Sequence, residues 1–187
     1  MAIVRRAKAY SKRKPVTNTR KSKKTQYSYI KAVPAQKIVK FFMGDIPGYN
    51  SDKYNIKITL FSEEDIQIRD LALESARQVI HKEMTEMLQK NYYLRCDVYP
   101  HNILRNNRVY SGGSKGERIQ TGMSKSFGTP EGRAAVVKKG RPVFTAYFSG
   151  EDNISKVRHI FNIGKSKLPC ACRIVAEIIR KPVLQSQ

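Results

Sequence analysis

Apolar and polar residues alternate between residues 54 and 61 of this chain. One face of the alternating segment holds Tyr54, Ile56, Ile58 and Leu60, and the residues between them are mostly polar. A period of two is typical of a strand with one buried face. The pattern therefore predicts a half-buried strand in this segment.

The period then changes to that of a helix, which the pattern extends to about Leu88. The apolar positions recur at steps of three and four residues, at Leu73, Ala76, Ile80, Met84 and Met87. This spacing predicts an amphipathic helix whose apolar side faces the core. Ser62 is followed by three acidic residues, which predicts that the helix begins there with a hydroxyl N-cap. Its acidic residues are expected on a solvated face.

Shorter signals predict the remaining elements. Strands are expected at 37–42, 92–99, 134–138, 142–148 and 172–179, with a short continuation at 103–105, and a second helix at about 152–163. This order predicts an α+β fold, in which a mixed or antiparallel sheet is packed by two helices. Residues 1–36 lack a sustained apolar period and are expected to form an extended basic arm. Residues 37–187 are expected to form a single domain, with a glycine-rich finger at about 106–127.

Charge is concentrated in the predicted arm. The first forty residues hold thirteen Lys and Arg and no carboxylate, so they carry +13 of the net charge of +21. Such self-repulsion disfavours a compact state unless an anion neutralises it. A polyphosphate backbone does so with a gain in affinity, because bound cations release condensed counterions. Tyr10, Tyr27 and Tyr29 lie among these cations, which favours nucleic acid over the alternative of a simple solvated tail.

Composition excludes several other classes. No segment approaches the roughly 18 consecutive apolar residues of a membrane span, and the N-terminus has no apolar region typical of a secretory signal. Three cysteines, an odd number, argue against a disulfide framework and for a reducing compartment. The cytoplasm is therefore the expected location.

The chain offers little to a catalytic or metal-binding interpretation. The run at 112–116, Gly-Gly-Ser-Lys-Gly, does not have the ending of a phosphate-binding P-loop. His81, His101 and His159 lie in different predicted elements. Cys170 and Cys172 form a single Cys-x-Cys pair, which does not supply the four ligands of a structural zinc site. All three cysteines are expected to be buried as small hydrophobic residues. We expect no enzyme activity, no metal and no cofactor.

Two motifs resemble the signature of a ribosomal protein family. Residues 118–123 read Arg-Ile-Gln-Thr-Gly-Met, and residues 127–134 read Phe-Gly-Thr-Pro-Glu-Gly-Arg-Ala. They are similar to motifs of the large-subunit family called L-sixteen in bacteria and L-ten-e in archaea and eukaryotes. Further segments resemble that family in matching order, at 5–10, 33–38, 74–77 and 100–105. Asn102 stands where the family commonly has a histidine. The N-terminal form and the length resemble the archaeal and eukaryotic branch more closely.

The resemblance implies a structural constituent of the large ribosomal subunit, located in the cytoplasm, with a β-hammerhead-like sheet. Such a protein binds large-subunit rRNA and helps to position aminoacyl- and peptidyl-tRNA near the peptidyl-transferase centre. The implied partners are rRNA, tRNA and neighbouring ribosomal proteins, with no membrane and no homo-oligomer. The residues expected to bind RNA are Arg5, Arg6, Lys8, Tyr10, Lys12, Arg13, Lys14, Arg20, Lys21, Lys23, Lys24, Arg105, Arg108, Arg118, Lys125 and Arg133. The tRNA-facing finger is expected at Ser111, Gly112, Gly113, Ser114, Lys115 and Gly116.

Two other functions remain open from the sequence. The chain could be a free RNA-binding or RNA-chaperone protein, with a nucleoid-type DNA binder as a related case. An enzyme acting on RNA ranks third, because it would need a convergent acid–base pair and the sequence indicates none. Co-sedimentation with the large subunit would separate the ribosomal interpretation from the first alternative.

Overall fold

A computed structural model describes residues 6–12, 30, 33–106 and 129–179 of the chain. The strands are β1 (Phe42–Gly44), β2 (Ile56–Ser62), β3 (Ile66–Arg69), β4 (Tyr92–Cys96), β5 (Asn102–Asn106), β6 (Thr129–Val137), β7 (Pro142–Phe148) and β8 (Cys172–Ile178). The helices are α1 (Ile46–Asn50), α2 (Asp70–Leu88) and α3 (Asn153–Lys165). The predicted α+β class is confirmed.

The described strands form two sheets, in which every pairing is antiparallel. The large sheet has five strands in the order β1-β4-β7-β2-β8, and the small sheet has three in the order β3-β6-β5. Ile58 and Leu60 of β2 are fully buried, as their alternation predicts. They share one hydrophobic core with Ile68 of the small sheet and Phe161 of α3. The two sheets therefore belong to one packed body.

Helix α2 presents the predicted apolar face to that core. Leu73, Ala76, Ile80 and Met84 are all fully buried. Helix α3 crosses α2 closely, because Gly164 leaves so little room that a Cβ atom there would lie 2.5 Å from Cγ1 of Ile80. The two helices cover one face of the large sheet.

Tyrosines cover part of the opposite face of the large sheet. Tyr93 and Tyr147 alternate with the core residues Leu94 and Ala146, so they project from the other side. Tyr49 of α1 stacks on Tyr93 with ring centroids 4.2 Å apart. The short helix α1, which the sequence patterns did not predict, thus closes this aromatic cluster.

Three local predictions were wrong. Ser62 does not cap α2: it ends β2, its hydroxyl donates to the carbonyl oxygen of Glu64 at 2.8 Å, and strand β3 intervenes before the helix begins at Asp70. The predicted strand at 37–42 begins only at Phe42. The segment at 103–105 does not continue β4, because β5 pairs with β6 in the small sheet.

Candidate nucleic-acid interface

Residues 6–12 form tight turns that dock on the small sheet. The amide of Ala9 donates to the carbonyl oxygen of Arg6 at 3.0 Å, and the hydroxyl of Ser11 donates to that of Lys8 at 2.8 Å. The amide of Gln67 in β3 in turn donates to the carbonyl oxygen of Ser11 at 3.0 Å. We call residues 6–12 the docked turn. This part of the predicted arm packs on the folded body.

Tyr10 is the side-chain anchor of the docked turn. Its hydroxyl donates to the Glu131 carboxylate at 2.5 Å, and the Arg69 guanidinium lies 5.9 Å from its ring centroid. The predicted role of Tyr10 in RNA binding therefore competes with contacts inside the protein. The cations Arg6, Lys8 and Lys12 are exposed around it. These three side chains are placed where an anionic partner can reach them.

Arg105 and Arg133 lie on the paired strands β5 and β6. Arg105 is buried. Arg133 is half-buried, and its Nε donates to the carbonyl oxygen of Pro34 at 2.7 Å while Nη1 donates to the hydroxyl of Tyr99 at 3.3 Å. Arg133 thus joins β6 to the segment that precedes β1. Arg105 is enclosed by the framework, whereas Arg133 remains partly exposed, and the contact of either arginine with RNA stays a prediction.

The other ten predicted RNA-binding residues lie outside the described residues. These are Arg5, Arg13, Lys14, Arg20, Lys21, Lys23, Lys24, Arg108, Arg118 and Lys125. The predicted finger, Ser111 to Gly116, also lies outside them. The RNA-binding roles of these residues and of the finger therefore stay predictions.

A buried ion pair fixes the segment at 33–42 on α2. The Glu74 carboxylate accepts from Arg77 at 2.7 Å (Nε) and 2.6 Å (Nη2), and from Gln78 at 2.9 Å. It also accepts from the amide of Val39 at 3.3 Å. Asp70, one helical turn earlier, accepts from the amide of Lys37 at 3.1 Å. The amides of this basic segment therefore donate to the carboxylates of α2. In a sheet they would have donated to the carbonyl oxygens of a neighbouring strand.

Burial also corrects the prediction of a solvated acidic face on α2. Asp70 and Glu74 are both buried. Desolvation by itself would raise the pKa of Glu74, but the hydrogen bonds from Arg77, Val39 and Gln78 outweigh it and hold that pKa below the ordinary value. For Asp70 desolvation prevails over the amides of Leu71 and Lys37, so its pKa is raised. Two of the acids of this helix are thus structural.

One histidine, His81, and the three cysteines take packing positions, whereas His101 and His159 are exposed. Nδ1 of His81 lies 2.7 Å from the hydroxyl of Tyr92, and burial lowers the pKa of this imidazole. Cys96, Cys170 and Cys172 are buried free thiols, as expected. Within residues 6–12, 33–106 and 129–179, no three His, Cys, Asp or Glu side chains are grouped as they would be around a metal ion.

A partly exposed aromatic pair was not among the predicted site residues. Phe41 and Tyr99 stack with ring centroids 5.5 Å apart and ring planes inclined by 28°. Tyr99 is exposed and Phe41 is half-buried, and Val39 and Phe42, close to Phe41 in the chain, are exposed. The sequence offered one indication of this pair: Tyr99 directly precedes segment 100–105, which resembles the family.

The small sheet and its surroundings bring together several of the segments that resemble the family. Segment 100–105 includes most of β5, which pairs with β6, where residues 129–134 of another motif lie. Segment 33–38 reaches β6 through Arg133, and it reaches α2 through Asp70. Asn102, the departure from the family pattern, is buried and donates to Oε1 of Gln67 at 2.6 Å. The segments that resemble the family therefore lie next to one another in the fold.

Comparison with known proteins decides the family. The family described as "Ribosomal protein L16p/L10e" matches residues 15–175 of this chain. The chain belongs to that family. It is therefore a ribosomal protein, whose role is structural and not enzymatic.

Archaeal members of the family are similar over most of their length. "Large ribosomal subunit protein uL16" of Pyrobaculum calidifontis is 39% identical over 154 residues, covering 82% of this chain and 85% of the relative. The protein of the same name from Methanosphaerula palustris is 36% identical over 171 residues, covering 91% and 94%. These matches agree with the predicted archaeal and eukaryotic branch. Among the described residues, none of the helices combines the length and the apolar character that a membrane span needs.

Proposed function

We propose that this protein is a structural component of the large ribosomal subunit that binds large-subunit rRNA. Membership of the family supports the subunit, since the similar archaeal proteins carry that subunit in their names. The charge supports the ligand, because +13 within forty residues gains affinity for a polyanion through the release of condensed counterions. Phosphate contacts of this kind position a protein on RNA without reading its base sequence.

The docked turn is the observation that carries the proposal. Arg6, Lys8 and Lys12 are exposed, while Tyr10 and Ser11 hold the turn on the small sheet. The cations are therefore presented from a fixed base, so that less conformational entropy is lost on binding than by a free tail. The other cations predicted in residues 1–36 would extend this surface along the RNA.

The finer part of the proposal concerns tRNA. Residues 111–116, with Arg108, Arg118 and Lys125 around them, would form a basic, glycine-rich finger directed at the tRNA acceptor end. This assignment is supported by the family resemblance of residues 118–134. The protein would help to position aminoacyl- and peptidyl-tRNA near the peptidyl-transferase centre, and the chemistry would be carried out elsewhere.

Sedimentation tests the rRNA proposal. We expect the tagged full-length chain to sediment stoichiometrically with the large subunit in a sucrose gradient. The triple variant Arg6→Ala, Lys8→Ala, Lys12→Ala is expected to dissociate at lower salt, since each lost phosphate contact lowers the salt slope by roughly 0.7–0.9. A control variant with the same loss of charge, Lys138→Ala, Lys139→Ala, Arg141→Ala, alters three exposed cations next to the β6–β7 turn.

The results distinguish the proposal from its rival. Equal salt dependence in both triple variants would refute the role of the docked turn. A free pool of the wild-type chain, absent from large subunits, would indicate a free RNA-binding or RNA-chaperone protein. For the finger, Arg118→Ala with Lys125→Ala is expected to weaken incorporation or tRNA accommodation while the free energy of unfolding changes by less than about 0.5 kcal/mol. A lower melting temperature with normal assembly would refute that assignment.

A further inference from the structure

The partly exposed pair of Phe41 and Tyr99 lies where three of the family-like segments meet. Phe41 follows segment 33–38, Tyr99 precedes segment 100–105, and Arg133 of β6 donates to the Tyr99 hydroxyl at 3.3 Å. Phe41 packs partly against the core, whereas Tyr99 is 51% exposed. One ring of the stack is therefore anchored, and the other presents a free face to solvent. We call Phe41, Tyr99 and Arg133 the ring platform.

The ring platform is held in place by the surrounding backbone. The carbonyl oxygen of Phe41 accepts from the amide of Cys96 at 2.8 Å, and that of Tyr99 accepts from the amide of His101 at 2.9 Å. The Glu74 carboxylate fixes Val39, two residues before Phe41. A planar surface held in this way binds a flat partner with little loss of conformational entropy.

The charge around the ring platform is positive. Lys37 and Lys40 are exposed in the segment that leads to Phe41, and Arg133 supplies a guanidinium at the edge of Tyr99. The acids of α2 that face this segment do not offset these cations at the surface, because Asp70 and Glu74 are buried and accept internal hydrogen bonds. An aromatic face among cations is the arrangement that binds single-stranded nucleic acid.

We propose that the free face of Tyr99 stacks on an unpaired base of large-subunit rRNA. Lys37, Lys40 and Arg133 contact the phosphates on either side of that base. This inference rests on the proposed function and assigns a base contact to it. Stacking is tolerant of sequence because every base has a π face, so the ring platform selects an unpaired nucleotide and not a particular base.

A single tryptophan tests the contact directly. The chain has no Trp, so Tyr99→Trp creates a unique fluorescence reporter. Ile178→Trp is the matched control, since Ile178 is 57% exposed in β8, at the opposite edge of the large sheet. A short single-stranded oligoadenylate is expected to quench the tryptophan at position 99 and not the one at 178. Inorganic polyphosphate supplies charge without bases and is expected to bind without quenching.

Affinity variants separate stacking from apolar contact. Tyr99→Phe retains the ring and is expected to bind oligoadenylate within about two-fold of wild type, whereas Tyr99→Leu retains only apolar bulk. We expect the leucine variant to bind roughly five-fold more weakly or worse, as the loss of one stacked base predicts. Both changes are at an exposed side chain, and thermal unfolding of each variant checks that the fold is retained.

The outcomes are distinct for the two proposals. Binding of oligoadenylate without quenching at position 99, or an equal affinity of Tyr99→Leu and wild type, would overturn the ring platform and leave rRNA binding intact. Equal quenching by polyphosphate would overturn it as well. Failure of the wild-type chain to bind either oligoadenylate or deproteinised large-subunit rRNA would refute the proposed function, and the ring platform with it.

Discussion

Replacing Glu74 by glutamine tests how the basic segment is held on α2. The Glu74–Arg77 pair is buried, with each side chain 10% exposed, and four hydrogen bonds end on the carboxylate. Glu74→Gln keeps the shape and one acceptor oxygen but leaves the Arg77 guanidinium without a counter-charge. Removal of one partner of a buried pair typically costs 3–5 kcal/mol, and we expect about 3 kcal/mol because the amide oxygen still accepts.

Urea unfolding followed by circular dichroism measures this change, and α2 itself offers the control. Glu86 pairs with Lys82 at 3.8 Å, but those side chains are 62% and 72% exposed. Glu86→Gln is therefore expected to change the free energy of unfolding by less than about 0.5 kcal/mol. The double variant Glu74→Gln, Arg77→Met removes both charges and is expected to recover at least about 1 kcal/mol relative to Glu74→Gln.

Acid dependence gives a second measurement of the same pair. The folded pKa of Glu74 lies below the ordinary value of 4.5. Its contribution to stability is therefore fully present above the unfolded pKa and is lost as the pH falls through the lowered folded pKa. In Glu74→Gln the free energy of unfolding is expected to fall less steeply with decreasing pH, because the titrating carboxylate is gone. If Glu74→Gln unfolds at the same urea concentration as Glu86→Gln, the buried pair does not hold the segment as described.

Two further predictions concern the backbone and the thiols. Gly44 and Gly140 both have positive φ, at 87° and 79°. A Cβ at Gly44 would lie 2.1 Å from the carbonyl oxygen of Tyr92, whereas Gly140 faces open space. Gly140→Ala is thus expected to cost about 1–2 kcal/mol and Gly44→Ala about 1–3 kcal/mol more, measured by urea unfolding, and equal costs would contradict the predicted clash. Burial raises the pKa of Cys96 to about 12, whereas the neighbouring thiol of Cys172 lowers that of Cys170. Iodoacetamide is therefore expected to label Cys170 before Cys96, as peptide mass spectrometry would check, and labelling of Cys96 first in the folded chain would contradict this order.

A strong periodicity of apolar residues was sufficient to predict the elements that bury one face. Strand β2 and helix α2 were predicted because Ile58, Leu60, Leu73 and Ile80 repeat at the period of their own element and face one core. The same residues carry no information about which strands become neighbours. The division into two sheets could not be predicted from the patterns, because it depends on pairings such as β3 with β6 that join residues far apart in the chain.

Local signals failed where a side chain had a partner outside its own segment. Ser62 and the acids after it are typical of a helix start, yet Asp65 accepts from the amide of Lys139 at 2.7 Å and holds a turn between strands. Residues 37–41 have the composition of a strand, but Lys37 and Val39 donate to carboxylates of α2. In the candidate interface the charge was evident from composition. The stacking of Phe41 on Tyr99 required the fold.

The position of β2 in the large sheet means that both of its neighbouring strands are synthesised long after β2 itself. Its neighbours β7 and β8 both come from the last third of the chain, and Lys57 reaches Glu177 across 120 residues at 3.0 Å. Pairing at such separation is slow, since a long loop must close before the contact is gained. A pause in synthesis before residue 172 would leave β2 with an open hydrogen-bonding edge. The later β8 is completed, the longer this edge of β2 stays open to pairing with another chain.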